Sequence, residues 1–165
     1  MIFGFSVMAQ DRNTSPPLSL CEISQNYGDY RGKTIAVRGV FFYGLRQTCP
    51  QKCGDGPWPS FLWLEGDAFS ERSGGELARI ERDVEQKAKA TGKRFEIWVT
   101  AVGRLQTNAK LSRKGPCDRM GSYYFGYGHL GAFPAEFDVT AFRDIEVKEN
   151  PKSEYDYAHM HHGAL

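Results

Sequence analysis

Four cysteines, Cys21, Cys49, Cys53 and Cys117, are the side chains of this sequence with the most defined chemistry. Two thiolates as close as Cys49 and Cys53 can grip a tetrahedral zinc ion if two further ligands join them. Cys21 and Cys117 do not make a second close pair, which disfavours zinc; an even count in an exported chain suggests two disulfides, the alternative is buried reduced thiols in a cytoplasmic protein, and spacing alone leaves the pairing open. A second group of residues is concentrated between 113 and 129. Tyr123, Tyr124, Phe125, Tyr127 and His129 follow Arg113, Lys114 and Arg119, and with Trp58 they form a set suited to stacking flat groups and holding anions. The same residues, interleaved with Gly, also suit an aromatic loop packed down on a sheet. His129 could act as a base, yet no nucleophile or paired acid stands beside it in sequence, and the reading is non-catalytic. At the C-terminal end, Asp156, His159, His161 and His162 are weak candidates for a divalent metal, because neutral imidazoles are good ligands. There is no phosphate-binding glycine loop, dinucleotide fingerprint, Gly-x-Ser-x-Gly elbow or His-Glu-x-x-His pair, and no cofactor is expected.

The elements that must position these groups are read from hydrophobic period and punctuation. The 165 residues suit one domain. A net charge of +1, from 21 basic and 20 acidic residues, supplies no global field toward nucleic acid or an anionic membrane, so any charged partner must meet a local patch. No apolar run reaches the roughly 18 residues of a membrane span. Met1 to Ala9 is apolar and ends in Val7-Met8-Ala9, a small-residue cleavage pattern, so residues 1–9 are expected to be the tail of a signal peptide without its basic start. Residues 10–17 read as an extended leader, 18–148 as the domain, and 149–165 as a flexible, charged tail.

Within the domain, Leu18, Cys21, Ile23 and Tyr27 line a short helix, with Ser19 and Glu22 at capping-box spacing and Gly28 as its stop. Thr34 to Tyr43 alternates as a strand. Thr48 to Pro59, with two Cys, two Gly and three Pro, is expected to be a loop. A strand covers 60–65. Ser73 and Glu76 predict the cap of the main helix, whose stripe is Leu77, Ile80, Val84 and Ala88 and whose C-terminal glycine is Gly92. Arg79, Glu81, Arg82, Asp83, Glu85, Lys87 and Lys89 read as its solvated face. Phe95 to Thr107 and Phe137 to Val147 are the last strands, and Gly39 and Gly103 mark bends.

Taken together, Gly32-Lys33 before an alternating strand and Gly39, a helix before Val99-x-x-x-Gly103-Arg104-Leu105, and the closing Arg143-Asp144-Ile145-Glu146-Val147 resemble the bacterial OB-fold group related to anticodon-binding barrels. Gly126-Tyr127-Gly128-His129-Leu130-Gly131-Ala132-Phe133-Pro134-Ala135 and Trp58-Pro59-Ser60 are similar to small exported bacterial proteins without assigned activity. The expected fold is therefore mostly β with one main helix (α+β), an OB-like five-stranded β-barrel with long loops. The resemblance implies export and no catalytic residues. OB ligands lie across the middle strands, flanked by the loop after strand one and the loop before strand five. In this chain those would be Cys49–Pro59 and 108–131, with Cys49 or Cys53 bridged to Cys117 and Cys21 joined to the remaining loop cysteine. The expected role is an exported or envelope-associated binding module for a glycan, peptide or envelope protein. The alternatives are a cytoplasmic barrel that binds single-stranded nucleic acid, and a metal protein using Cys or the terminal His.

Overall fold

A computed structural model describes residues 16–25, 27–52, 57–66, 75–107, 127 and 135–159. The secondary elements are β1 (Leu18–Ser19), α1 (Leu20–Gln25), α2 (Tyr27–Tyr30), β2 (Thr34–Phe41), β3 (Leu45–Lys52), β4 (Pro57–Glu65), α3 (Glu76–Thr91), β5 (Phe95–Thr107), β6 (Ala135–Glu149) and a 3₁₀ turn (Tyr157–His159). The fold is mostly β, a six-stranded mixed sheet with few helices. Five of its strands pair in a ring. β2 runs antiparallel to β3, β3 antiparallel to β4, β4 parallel to β6, β6 antiparallel to β5, and β5 antiparallel to β2 from Thr34↔Arg104 to Val40↔Trp98. β1 adds two parallel pairs to β2. Among the described residues, no helix is long and apolar enough to cross a membrane.

Period-two alternation sends one face of each strand inward. Val37, Phe41, Leu45, Leu62, Leu64, Ile97, Val99, Ala101, Leu105 and Phe137 are buried, and Leu20 and Ile23 of α1 and Val84 and Ala88 of α3 close over them. The two expected bend glycines are sites of close approach. A Cβ on Gly103 would stand 2.2 Å from the Asp138 carbonyl oxygen, beside a register shift in the β5–β6 ladder, and one on Gly39 would stand 2.8 Å from Leu45 Cγ. No larger residue fits Gly103 without moving β6.

The helices follow their punctuation in part. The Ser19 N–H and hydroxyl both donate to Glu22 Oε2 at 2.7 Å, and the Glu22 N–H donates back to Ser19 Oγ at 3.2 Å, which completes the capping box. Gly28 does not end the helical segment, because α2 runs through it to Tyr30. At α3 the N-cap is Gly75 and no side chain caps it; the expected Ser73 lies outside the described residues. Gly92 ends α3 in the left-handed region at φ 65°, its N–H donating to Ala88 O. The charged face of α3 is not wholly solvated, since Glu81 is buried.

Two further expectations are corrected. Residues 48–59 do not form a loop throughout; they contain much of the β3–β4 hairpin, registered Leu45↔Leu62 to Cys49↔Trp58. Its prolines fall where each strand has one described partner. β3 pairs with β2 only at Leu45 and Arg46, and β4 meets β6 only from Trp63 to Glu65, so Pro50, Pro57 and Pro59 interrupt no second ladder. The chain beyond 148 is not a loose tail as far as His159. Tyr155 and Tyr157 are buried, the Tyr157 hydroxyl donates to the Phe41 carbonyl, Asn150 Nδ2 donates to Glu96 at 2.8 Å and Arg94 Nη1 donates to the Ser153 carbonyl at 2.9 Å. Aromatic burial supplies here what the charged composition hides.

The Sγ atoms of Cys21 and Cys49 are 2.10 Å apart, which makes a disulfide between α1 and β3, and Leu20 N–H donates to Gln47 Oε1 at 3.0 Å beside it. Because the bridge closes a separation of 28 residues, chain-entropy reasoning gives it about 3–4 kcal/mol. The double variant Cys21→Ser, Cys49→Ala is expected to lose that amount in denaturant unfolding, and an unchanged midpoint would show that no bond forms. The capping box yields a second expectation. Hydrogen bonds from Ser19 hold the Glu22 carboxyl below its ordinary range, so their stabilisation is complete above the unfolded-state pKa and is lost as pH falls through the lower folded value. Ser19→Ala should cost about 0.5–2 kcal/mol at neutral pH. Thermal melts from pH 7 to pH 2 should show the gap narrowing without closing, because the neutral Glu22 N–H bond to Ser19 Oγ survives acid.

Candidate functional site

Alternation on the β3–β4 hairpin that sends Leu45, Leu62 and Leu64 inward sends Arg46, Phe61 and Trp63 to the outer face. Arg46 and Phe61 are direct cross-strand partners. The guanidinium Cζ lies 4.3 Å from the centre of the Phe61 ring and 5.7 Å from that of Phe42, within the range of cation–π attraction. Its Nε donates to the Phe42 carbonyl at 2.7 Å. That carbonyl is presented by the turn between β2 and β3, where Tyr43 has φ 53°, Gly44 has φ 140° and the Phe42 N–H donates to Gly44 O at 2.9 Å. Glycine is required at 44 for a second reason. A Cβ there would stand 2.6 Å from Phe61 Cζ, so the missing side chain is what lets the ring lie across the turn.

The row continues on both sides. Phe61 and Trp63 have ring centres 6.5 Å apart at a tilt of 45°, and the Trp63 indole N–H donates to Glu65 Oε1 at 2.6 Å. Phe42 contacts Tyr43 edge-on at 4.9 Å, Tyr155 at 5.4 Å and Tyr157 at 5.2 Å. The carboxylate of Glu154 accepts from the Thr48 hydroxyl. Burial lowers the Arg46 pKa, opposed by the nearby Tyr155 and Glu154, and burial raises that of Tyr155. Tyr157, more deeply buried, is pushed up further still. Among the described residues no acceptor bonds Nη1 or Nη2 of Arg46.

A second aromatic–cation group lies on the outer face of β2, β5 and β6. Arg38 and Lys148 flank the Trp98 ring at 5.9 and 5.6 Å. It is closed on itself. Arg38 pairs with Glu146 at 3.2 Å and donates to Thr100 and to the Asp144 carbonyl, Lys148 pairs with the same Glu146 at 3.1 Å, and the Trp98 indole donates to Glu96 at 3.0 Å. Its donors already have acceptors, so the group reads as a solvated network that covers Trp98.

Most of the rim read from sequence lies elsewhere. Arg113, Lys114, Arg119, Tyr123, Tyr124 and His129 are outside the described residues. Tyr127 is a half-buried bridge residue, and of Trp58 the strand position opposite Cys49 is described. The loop after the first ring strand is the short turn at 42–44, not the Cys49–Pro59 segment. With Cys49 bound to Cys21, neither a zinc site on Cys49 and Cys53 nor a Cys49–Cys117 bridge can form. The remaining form of that expectation joins Cys53 to Cys117, both outside the described residues. His159 is exposed with Nδ1 3.0 Å from Asp156, a contact that holds the Asp156 carboxyl below its ordinary range; His161 and His162 lie outside. No group of three metal-ligating side chains occurs among the described residues. Sequence reasoning missed Phe42, Tyr43, Arg46, Phe61 and Trp63 as a set. The alternation Phe61-x-Trp63 against Leu62-x-Leu64 was a usable signal, but nothing in the sequence paired it with Arg46. Comparison with known proteins finds no matching family model, curated protein or solved structure.

Proposed function

We propose that the ring of strands is an OB-like β-barrel, and that the chain is an exported, non-catalytic binding module whose ligand crosses the outer face of β3 and β4. The observation that carries the reading is the Arg46–Phe61 stack with Trp63 beside it on those two strands. In a barrel of this type the second and third strands form the usual ligand face. The strand circuit β2–β3–β4–β6–β5, with α3 between its third and fourth members in sequence, supports the barrel assignment. The Cys21–Cys49 bond supports export, since disulfides persist in oxidising compartments. The face carries aromatic rings and hydrogen-bonding groups, chemistry suited to a glycan, a peptide or an envelope protein.

A cytoplasmic barrel binding single-stranded nucleic acid remains the main competing reading, because bases also stack on aromatic rings. It is less well supported by the charges. Arg46 is accompanied by Glu65 and Glu154, whereas a groove that tracks phosphates needs a run of cations.

A binding panel of glycans, extended peptides and oligonucleotides, run on wild type, Phe61→Ala and Trp63→Ala, tests the face. Each truncation removes a stacking surface worth about 1–3 kcal/mol, so at least a several-fold loss of affinity is expected, with folding checked by circular dichroism. Ligands bound equally by all three proteins would place recognition elsewhere.

A further inference from the structure

We propose that the open edge of β6 over residues 145–149 pairs antiparallel with the same edge of a second copy of this chain, giving a twofold dimer centred on Val147.

The edge has definite limits. β6 pairs with β5 from Ala135 to Glu149 but with β4 only from Glu136 to Asp138, so beyond Asp138 its outer edge has no strand beside it among the described residues. Asp144, at φ 52° beside the register shift between Trp98 and Thr100, breaks the extended run on one side. The turn in which the Ser153 N–H donates to Asn150 O at 2.9 Å ends it on the other. What remains is the straight stretch Ile145 to Glu149, and Val147 is its midpoint.

Backbone alternation fixes which groups the edge presents. The Asn150 N–H donates to Arg94 O, so the ladder turns the polar backbone groups of Lys148 and Glu146 toward β5 and those of Ile145, Val147 and Glu149 outward. A twofold axis at Val147 makes them reciprocal. Val147 meets Val147 and Ile145 meets Glu149 of the second copy, each pair exchanging two N–H···O bonds, and the closed symmetry stops the assembly at two chains.

The side chains agree with that register. Val147, at 41% exposure, is the large hydrophobic residue that stands exposed among the described residues, and at the axis its counterpart covers it. Glu146 falls opposite Lys148 of the second copy, and Lys148 opposite Glu146 of the second copy. Within one chain Arg38 and Lys148 both approach Glu146 Oε2, at 3.2 and 3.1 Å, which leaves Oε1 for the facing ammonium. Charges on an edge ordinarily block strand addition. Here they select one register, because moving the axis one residue either way sets Glu146 against Glu146 or Lys148 against Lys148.

Sedimentation equilibrium of the full chain over a wide concentration range tests the pairing. The mass is expected to rise from 18.6 kDa toward twice that value. Lys148→Glu sets acid against acid in both cross-strand pairs and Glu146→Lys sets base against base, so each variant alone should weaken the dimer about tenfold. Mixing the two variants restores opposite charges across the axis and should recover association. Val147→Pro removes the N–H at the axis without touching a β5 bond, and should give a monomer whose circular dichroism is unchanged. A wild-type chain that stays at 18.6 kDa throughout overturns the proposal and leaves the edge to a strand of another protein. A dimer that persists in all three variants uses a different surface, which also overturns it, as do assemblies larger than two chains. Should Val147→Pro fail to fold, the mixture of charge variants still decides, and its failure to associate overturns the register.

Discussion

The ring exists because β5 is hydrogen-bonded along both edges. Its 13 residues pair with β6 from Phe95↔Glu149 to Thr107↔Ala135 and with β2 from Trp98↔Val40 to Arg104↔Thr34, so one strand joins two arms of sheet that would otherwise be open. Backbone pairing on both sides turns the inward residues Ile97, Val99, Ala101 and Leu105 into a common wall. It also brings β6 so near at Gly103 that the Asp138 carbonyl occupies the place of a side chain. At this crossing the close approach depends on a residue without a Cβ, and the register shift beside it absorbs the bend.

What closes the ring also exposes its outer surfaces unequally. Around β2, β5 and β6, the charges near Trp98 satisfy one another. On β3 and β4, the hairpin turn and Gly44 set a guanidinium under an aromatic ring while its distal nitrogens stay open among the described residues. The same physics, a cation beside an aromatic face, therefore gives a network of ion pairs on one side and a stacked guanidinium held by a backbone carbonyl on the other. The difference lies in where the acids are engaged.

Long elements with a clean period were legible in the sequence. β5 begins and ends where its alternation does, α3 stops at the expected Gly92, and the Ser19–Glu22 box is formed by the residues that announced it. β3 was hidden because Cys49 and Pro50 read as loop chemistry, yet the cysteine is buried by its bond to Cys21 and the proline lies where β3 has no second described partner. Burial of Glu81 could not be read from a helix face of mixed charge, nor burial of Tyr155 and Tyr157 from a charged segment. The candidate face was illegible for a different reason. Arg46 and Phe61 become neighbours only through hairpin register, which no local pattern states.

Tyr157 seals the core from far along the chain, with its hydroxyl on the carbonyl of Phe41. A polypeptide emerging from the ribosome has presented every strand of the ring before it presents this plug. Strand pairing can begin during synthesis, but the packed interior is completed only after residue 157 has emerged. Until then the nascent molecule lacks its finished core.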